Sequence, residues 1–396
     1  MSGIVKLKPG REKSVLQKHP WIFSGAIASA EGCENGEVVD VLSFRGKWLA
    51  RGSYNEKSQI TVRILTWNQE ETIDIDFWVD GIKRAFSTRE HLWLSDETQA
   101  FRVVHAESDY LPGLVVDVYG RWLVVQFLTA GVEKFREEIL KALQEVFPGI
   151  KGIVDRSDVA VRKKEGLGLR KEIAAGEAPP PLLEFTENGH PFLTDLMNGQ
   201  KTGFYLDQRE NRALVGNYAS GMRVLNAFSY TGAFAVYALK NGAEFVTNLD
   251  SVQGALDLAK KNLEVNGFGA LDFEMVRGDA FEVLREFLKE GRTFDMVILD
   301  PPKFATNQRN LRPATRGYKD INMLGMKLLR PGGFLATFSC SGLVPPDLFQ
   351  KIVFGAAIDA GRDAQIIEKM SQGCDHPIAL TFPQGAYLKG LLLKVW

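Results

Sequence analysis

Five apolar runs, separated by segments of helical length, constrain the second half of this 396-residue chain more than any other feature. They are RVLNAF at 223–228, EFVTNLD at 244–250, FEMVRGD at 273–279, FDMVILD at 294–300 and GFLATFSC at 333–340. Between the second and third, QGALDLAKKNLEVNG puts Leu256, Ala259 and Leu263 on one face and ends at Gly267, the pattern of a helix with a glycine stop. Strands that are apolar almost throughout are covered on both faces, and strand–helix alternation makes them parallel. The fold class that follows is α/β, a doubly wound sheet of Rossmann type. Near the C-terminus, AQIIEKM and YLKGLLLKVW read as its last strands, an antiparallel edge pair. Ligands of such a sheet lie at the carboxyl ends of its strands.

The three consecutive prolines of GEAPPPLLEFTENG, 176–189, fit neither a helix nor a central strand and mark a boundary. Upstream, 101–156 reads as two strands, a YGR turn, a strand, the helix EKFREEILKALQEVF and a strand, a small α+β module. Residues 1–70 carry short strands such as GEVVDVLS, KWLARGSY and QITVRIL between glycine turns. The expected organisation is three domains, at 1–72, 73–180 and 181–396.

No window approaches eighteen consecutive apolar residues, and MSGIVKLKPGREK has no apolar run behind its basic residues, so neither a membrane span nor a secretory leader is expected. Cys33, Cys340 and Cys374 are an odd count at distant positions, which does not suggest a disulfide framework. The cytoplasm is the expected compartment, with a monomer and a homodimer both compatible with the sequence. The net charge of −1 argues against a simple polyanion binder, but charge is uneven. Residues 1–20 hold five cations against Glu12, and 151–172 hold seven cations against four acids. Such segments are either a nucleic-acid footprint or solvated faces. Lys13, Lys18, Arg162, Lys163 and Lys164 are the candidates for RNA contact, with Lys303 beside the site described next.

The loop after the first run of the sheet is AFSYTGAFAVYAL. A nicotinamide site would place three glycines there to bring backbone amides against a pyrophosphate; this loop has one, Gly232. That suits a nucleoside without phosphate, S-adenosylmethionine. Carboxylates at successive strand ends support it: Asp250 for ribose hydroxyls, Asp279 for the adenine amine, and Asp300 beside the reactive methyl. Each aspartate alone could instead be the N-cap of the next helix.

KHPWIFSGAI, DRSDVAVRKKEG, KTGFYLDQRENR, VLNAFSYTGAF, LDPPKF, RGYKDINM and TFSCSG, in this order, resemble the bacterial large-subunit ribosomal RNA cytosine carbon-5 methyltransferases, which include the enzyme for cytosine 1962 of 23S rRNA. The resemblance spans essentially the whole chain. It implies an N-terminal PUA domain, a small central α+β domain and a class I S-adenosylmethionine-dependent methyltransferase domain, with 23S rRNA as partner and no metal. Residue by residue, it assigns Asn226, Phe228, Ser229, Tyr230, Thr231, Gly232, Asp250, Ser251, Asp279, Ala280 and Asp300 to the cofactor site, with Gln208 near the methionine end.

Carbon 5 of cytosine is a poor nucleophile until a thiolate adds at carbon 6. Cys340 of TFSCSG stands at the end of a strand neighbouring the one that leads to Asp300, so it is expected to be the nucleophile, with Asp300 holding the base. Free cysteines are also among the most buried residues, and a small core filler is the competing reading. Many cytosine carbon-5 RNA methyltransferases carry a second cysteine after the Asp-Pro element; here Lys303 stands there. Two other functions compete: an amino-group methyltransferase using the Asp-Pro-Pro loop, and an RNA-binding factor without activity. A metal pair of Cys374 and His376 lacks further ligands nearby and is not expected.

Overall fold

The computed structural model describes residues 3–93, 95, 97–305 and 307–396, and the chain forms two compact units. One comprises the chain up to Gly189 together with Thr194–Leu206 and Cys374–Gly385; the other comprises His190–Leu193, Asp207–Gly373 and Ala386–Trp396.

The second unit is built on seven strands: β1 Arg223–Ala227, β2 Phe245–Asp250, β3 Phe273–Arg277, β4 Phe294–Leu299, β5 Leu329–Ser339, β6 Ala364–Ser371 and β7 Lys389–Val395. They lie in the order β3-β2-β1-β4-β5-β7-β6. The first five are parallel, while β7 runs antiparallel to both β5 and β6. The apolar runs and the C-terminal edge pair therefore form as their patterns predict. Leu225, Ala227, Leu249, Val297, Leu299 and Leu335 point into a core closed by helices α4 Ala280–Lys289, α5 Leu311–Leu328 and α6 Pro346–Ala360. The alternate residues Val224, Asn226 and Val246 are no more than 1% exposed, so the second face is covered as well. There α2 Ala233–Lys240 and α3 Gln253–Val265 lie against β1 and β2, and α1 Arg209–Gly216 packs on α2. Because β1 sends its chain to one side and β4 to the other, their carboxyl ends form the crevice that such a sheet offers to ligands.

The first unit holds two sheets. One is six-stranded, in the order Trp21–Phe23, Ile60–Thr66, Trp48–Tyr54, Val38–Leu42, Gly3–Leu7, Ile27–Glu31. The other is five-stranded, in the order Glu172–Gly176, Gly152–Asp155, Trp122–Phe127, Leu114–Tyr119, Ala100–His105. Trp78 and Ile82 of the helix Ile75–Ser87 and Ile139 and Leu143 of the helix Arg136–Val146 belong to one buried core with that sheet. The Cys374–Gly385 segment is bonded into this unit. The Asp375 carboxylate accepts the Arg102 amide at 2.8 Å, and its carbonyl accepts the Arg89 guanidinium, which itself pairs with Asp109 at 2.7 Å. No helix among the described residues is long and apolar enough to cross a membrane.

Candidate active site

The loop after β1 is held in a conformation that side chains resist. Phe228 has φ 60°, Tyr230 φ 46° and Gly232 φ 76°, three left-handed residues within five. Two of them carry a Cβ, at a cost of about 1–2 kcal/mol each. Three bonds over-determine the turn: Ser229 N–H to the Leu249 carbonyl, Gly232 N–H to the Ser229 carbonyl, and Tyr230 N–H to Asp250 Oδ2 at 2.9 Å. A Cβ on Gly232 would stand 2.9 Å from Cβ of Ala259, so this glycine brings the loop against α3 rather than opening space for a ligand. Thr231 is tied down too, its carbonyl accepting from Asn262.

Asp250 ends β2 with both oxygens engaged, Oδ1 accepting from Val252 N–H at 2.9 Å. Asp279 is the N-cap of α4, its Oδ1 accepting from the amides of Phe281 and Glu282. Ala280, behind it, is buried, and Ser251 is exposed. Asn226 is 1% exposed and donates its amide to Asn248 on the neighbouring strand. Ser229 Oγ is buried and has no hydrogen-bond partner among the described residues. Each carboxylate oxygen can accept a second bond. An unpartnered hydroxyl and two carboxylates at one sheet edge fit the hydroxyls and amine of a nucleoside that carries no phosphate.

On the other side of the crevice, Asp300 directly follows β4 and Cys340 directly follows β5, strands paired in parallel with Leu299 opposite Thr337. Gln208, 2% exposed, donates to Asp300 Oδ2 at 3.0 Å and accepts from Asn211, which also holds the Ser371 carbonyl. The two loops are fastened together. Ser341 Oγ meets the Tyr318 hydroxyl at 2.9 Å and accepts the Ala305 amide at 3.3 Å. Phe304 lies against the Tyr318 ring, 4.7 Å between centroids. Burial raises the Tyr318 phenol above its ordinary range, so it is a neutral clamp. Lys389, 8% exposed, donates to the Ser341 and Val344 carbonyls at 2.6 and 2.8 Å.

Of the basic residues expected to meet RNA, Lys13, Lys18, Lys163, Lys164 and Lys303 are exposed. Arg162 is not: it is 2% exposed, and its guanidinium is spent on the Gly168 and Phe127 carbonyls and on Glu133. That candidate is corrected to a structural residue. A denser run of cations lies in the segment after Asp300. Residues 301–319 contain Lys303, Arg309, Arg312, Arg316 and Lys319 and no acid. Lys319 pairs with Asp359, whereas the three arginines are exposed and form no ion pair among the described residues. Counting charge in this window would have found them. Asn211, Tyr318, Ser341 and Lys389 carry no comparable local signal. The described residues contain no cluster of three or more metal-ligating side chains, and His376 bonds Asp375 at 3.0 Å.

A sheet of this order with acids at the ends of β2, β3 and β4 defines the class I S-adenosylmethionine-dependent methyltransferases. Residues 171–392 match the family model of S-adenosylmethionine-dependent methyltransferases, and residues 5–67 that of a PUA-like domain. Proteins named ribosomal RNA large subunit methyltransferase I from Erwinia tasmaniensis and Yersinia pestis are each 50% identical over 390 residues, 98% of both chains. The chain belongs to their family. A structure ascribed to the SAM-dependent methyltransferases, from Streptococcus mutans, superposes with a TM-score of 0.86 at 21% identity over the whole of both chains. A second methyltransferase structure, complexed with SAH, gives 0.87 at 22% identity over 99% of each. The cofactor of this family is S-adenosylmethionine.

Proposed function

We propose that this chain methylates carbon 5 of a cytosine in large-subunit ribosomal RNA, with Cys340 as the nucleophile. The substrate class is the one that the names of the 50%-identical relatives carry, and the motif resemblance narrows it to cytosine 1962 of 23S rRNA. The observation behind the reaction is a thiol directly past β5, beside the strand that ends at Asp300, with the two loops joined through Ser341. S-adenosylmethionine supplies the methyl group, and Ser229, Asp250, Asp279 and Gln208 would hold it. The chain's own part is to receive a base flipped from its stack and to fix its amine or ring nitrogen on Asp300. Sulfur then adds at carbon 6, which makes carbon 5 nucleophilic. The cation-only stretch 303–316 gives phosphates a place to bind next to that base.

Amino-group methylation with the same Asp-Pro-Pro loop is disfavoured by Phe304. The aromatic that would stack on the base is packed against Tyr318 and Phe281 instead. RNA carrying 5-fluorocytosine at the target separates the two, because fluorine cannot leave as a proton does. With cofactor, the protein should accumulate an RNA adduct stable to denaturing gels and mapping to Cys340. Cys340→Ala should give neither adduct nor product while still binding S-adenosylmethionine. Full turnover by Cys340→Ala would sink the carbon-5 reading.

A further inference from the structure

We propose that Lys389 is a positioning residue for the reaction, its buried ammonium keeping Cys340 in the thiolate form. The role rests on the carbon-5 reading above. Lys389 opens β7 and is paired across the sheet with Ser339, the residue before Cys340. Its Nζ donates to the carbonyls of Ser341 and Val344, so it sits inside the loop that carries the sulfur.

A lysine this deeply buried is normally paired with a carboxylate, because an unpaired buried charge costs several kcal/mol. No Asp or Glu forms an ion pair with Lys389 among the described residues, and neither of its hydrogen-bond acceptors is charged. The charged groups that act on it electrostatically are Cys340 from the end of β5 and Lys303 from the Asp-Pro-Pro loop; Tyr318 of α5, whose phenol is raised by burial, is neutral. Burial lowers the amine to about 8, the sulfur of Cys340 raises it and Lys303 lowers it. With no carboxylate paired to it and its Nζ held by the carbonyls of Ser341 and Val344, just past the sulfur, the ammonium's proposed counter-charge is the Cys340 thiolate. Two carbonyls alone would be served by a neutral donor, whereas a thiolate needs the charge.

The same charge acts twice in the cycle. A sulfur lone pair forms the bond to carbon 6, and the carbon 5–carbon 6 π pair becomes available at carbon 5. After methylation the carbon-5 proton passes to water. Its electron pair restores the double bond, the carbon 6–sulfur bond breaks, and that pair returns to sulfur as a thiolate facing Lys389. A stabilised leaving group bears on product release in a chain that has Lys303 where related enzymes carry a second cysteine.

The test is the pH dependence of iodoacetamide labelling at Cys340, read by peptide mass, with Cys33 and Cys374 as references in the same sample. It compares wild type with Lys389→Gln, Lys389→Met and Lys389→Arg. The wild-type midpoint should lie well below the ordinary thiol value of about 8.5. Gln and Met should move it up by about one unit or more, leaving about tenfold less thiolate at neutral pH and lowering kcat about tenfold at little-changed KM. Arg should hold the midpoint near that of wild type. Cofactor binding reports folding of each variant. If none of them folds, a wild-type midpoint at or above about 8.5 overturns the proposal, as does an unchanged midpoint in a folded Lys389→Gln. Failure here with a fluorocytosine adduct still formed removes Lys389 alone. An absent adduct in wild type removes the carbon-5 reading whatever the midpoint.

Discussion

Asp250 holds Tyr230 in its left-handed conformation through Oδ2, and in the proposed cofactor site the same carboxylate would also receive the ribose hydroxyls. Asp250→Ala should therefore weaken S-adenosylmethionine binding by roughly 1–3 kcal/mol, about five- to 150-fold, through unpaired hydroxyls and a loosened loop. Calorimetric titration that finds unchanged affinity in a folded variant removes Asp250 from the site. Lys389 makes a prediction that needs no substrate. Its folded-state value of about 8 lies below the ordinary 10.5, so above pH 8 the unfolded chain binds the extra proton and stability rises with pH. Between pH 7 and 9 the wild type should gain about 1 kcal/mol relative to Lys389→Met in denaturant melts. A pH-independent difference would place the amine in water. Neither Lys389 nor Arg162 was legible from its neighbours. In LKGLLLKVW the lysine looks like one exposed charge at a strand end, and its burial depends on residues about fifty positions away. Arg162 reads as one of three basic neighbours, and only the fold shows that it fills a gap between carbonyls.

Elements were legible where the pattern had a local cause. The strands of the parallel sheet stood out because both faces are buried, and α4 because Asp279 supplies a side-chain acceptor to its first amides. That same capping is why acids at strand ends read equally as cofactor ligands or as caps; Asp279 is demonstrably a cap, and its Oδ2 is what it can offer a ligand. Helix α5 was half legible. Its buried face, Ala314, Tyr318 and Ile321, follows helical spacing, while Arg312 and Arg316, with Arg309 just ahead of the helix, were lost in a chain of net charge −1. Together they should govern RNA capture. Replacing Arg309, Arg312 and Arg316 with Gln should reduce the slope of log affinity against log salt by about 2, the worth of three single-strand phosphate contacts. Cofactor affinity should not change. Binding measured from low to moderate salt with an unchanged slope would move the RNA footprint elsewhere, with Lys13, Lys18, Lys163 and Lys164 next in line.

At the scale of the molecule, the chain first leaves the first compact unit after Gly189, beyond the three prolines, and the passage is not a single cut. Thr194–Leu206 and Cys374–Gly385 return to the first unit. Such returns leave no local pattern, because what fixes the second of them is a set of partners more than 260 positions away. Arg89 is fully buried, pairs with Asp109 and donates to the Asp375 carbonyl; the Asp375 carboxylate accepts the Arg102 amide. The segment that joins β6 to β7 thus clusters with the first unit, and β7 begins with Lys389. A fragment of residues 190–396 would leave that segment without Arg89 and Arg102, forfeiting hydrogen bonds to a charged group worth roughly 1.5–3 kcal/mol each. The fragment should melt well below the corresponding transition of the full chain and be cut by protease between Cys374 and Gly385. In the intact protein, Arg89→Ala should reproduce the local release by stranding the Asp109 carboxylate, at a cost of roughly 3–5 kcal/mol. Limited proteolysis with mass mapping reads both. A fragment that melts like the full chain and resists cleavage there would show that the catalytic unit closes β6 onto β7 unaided.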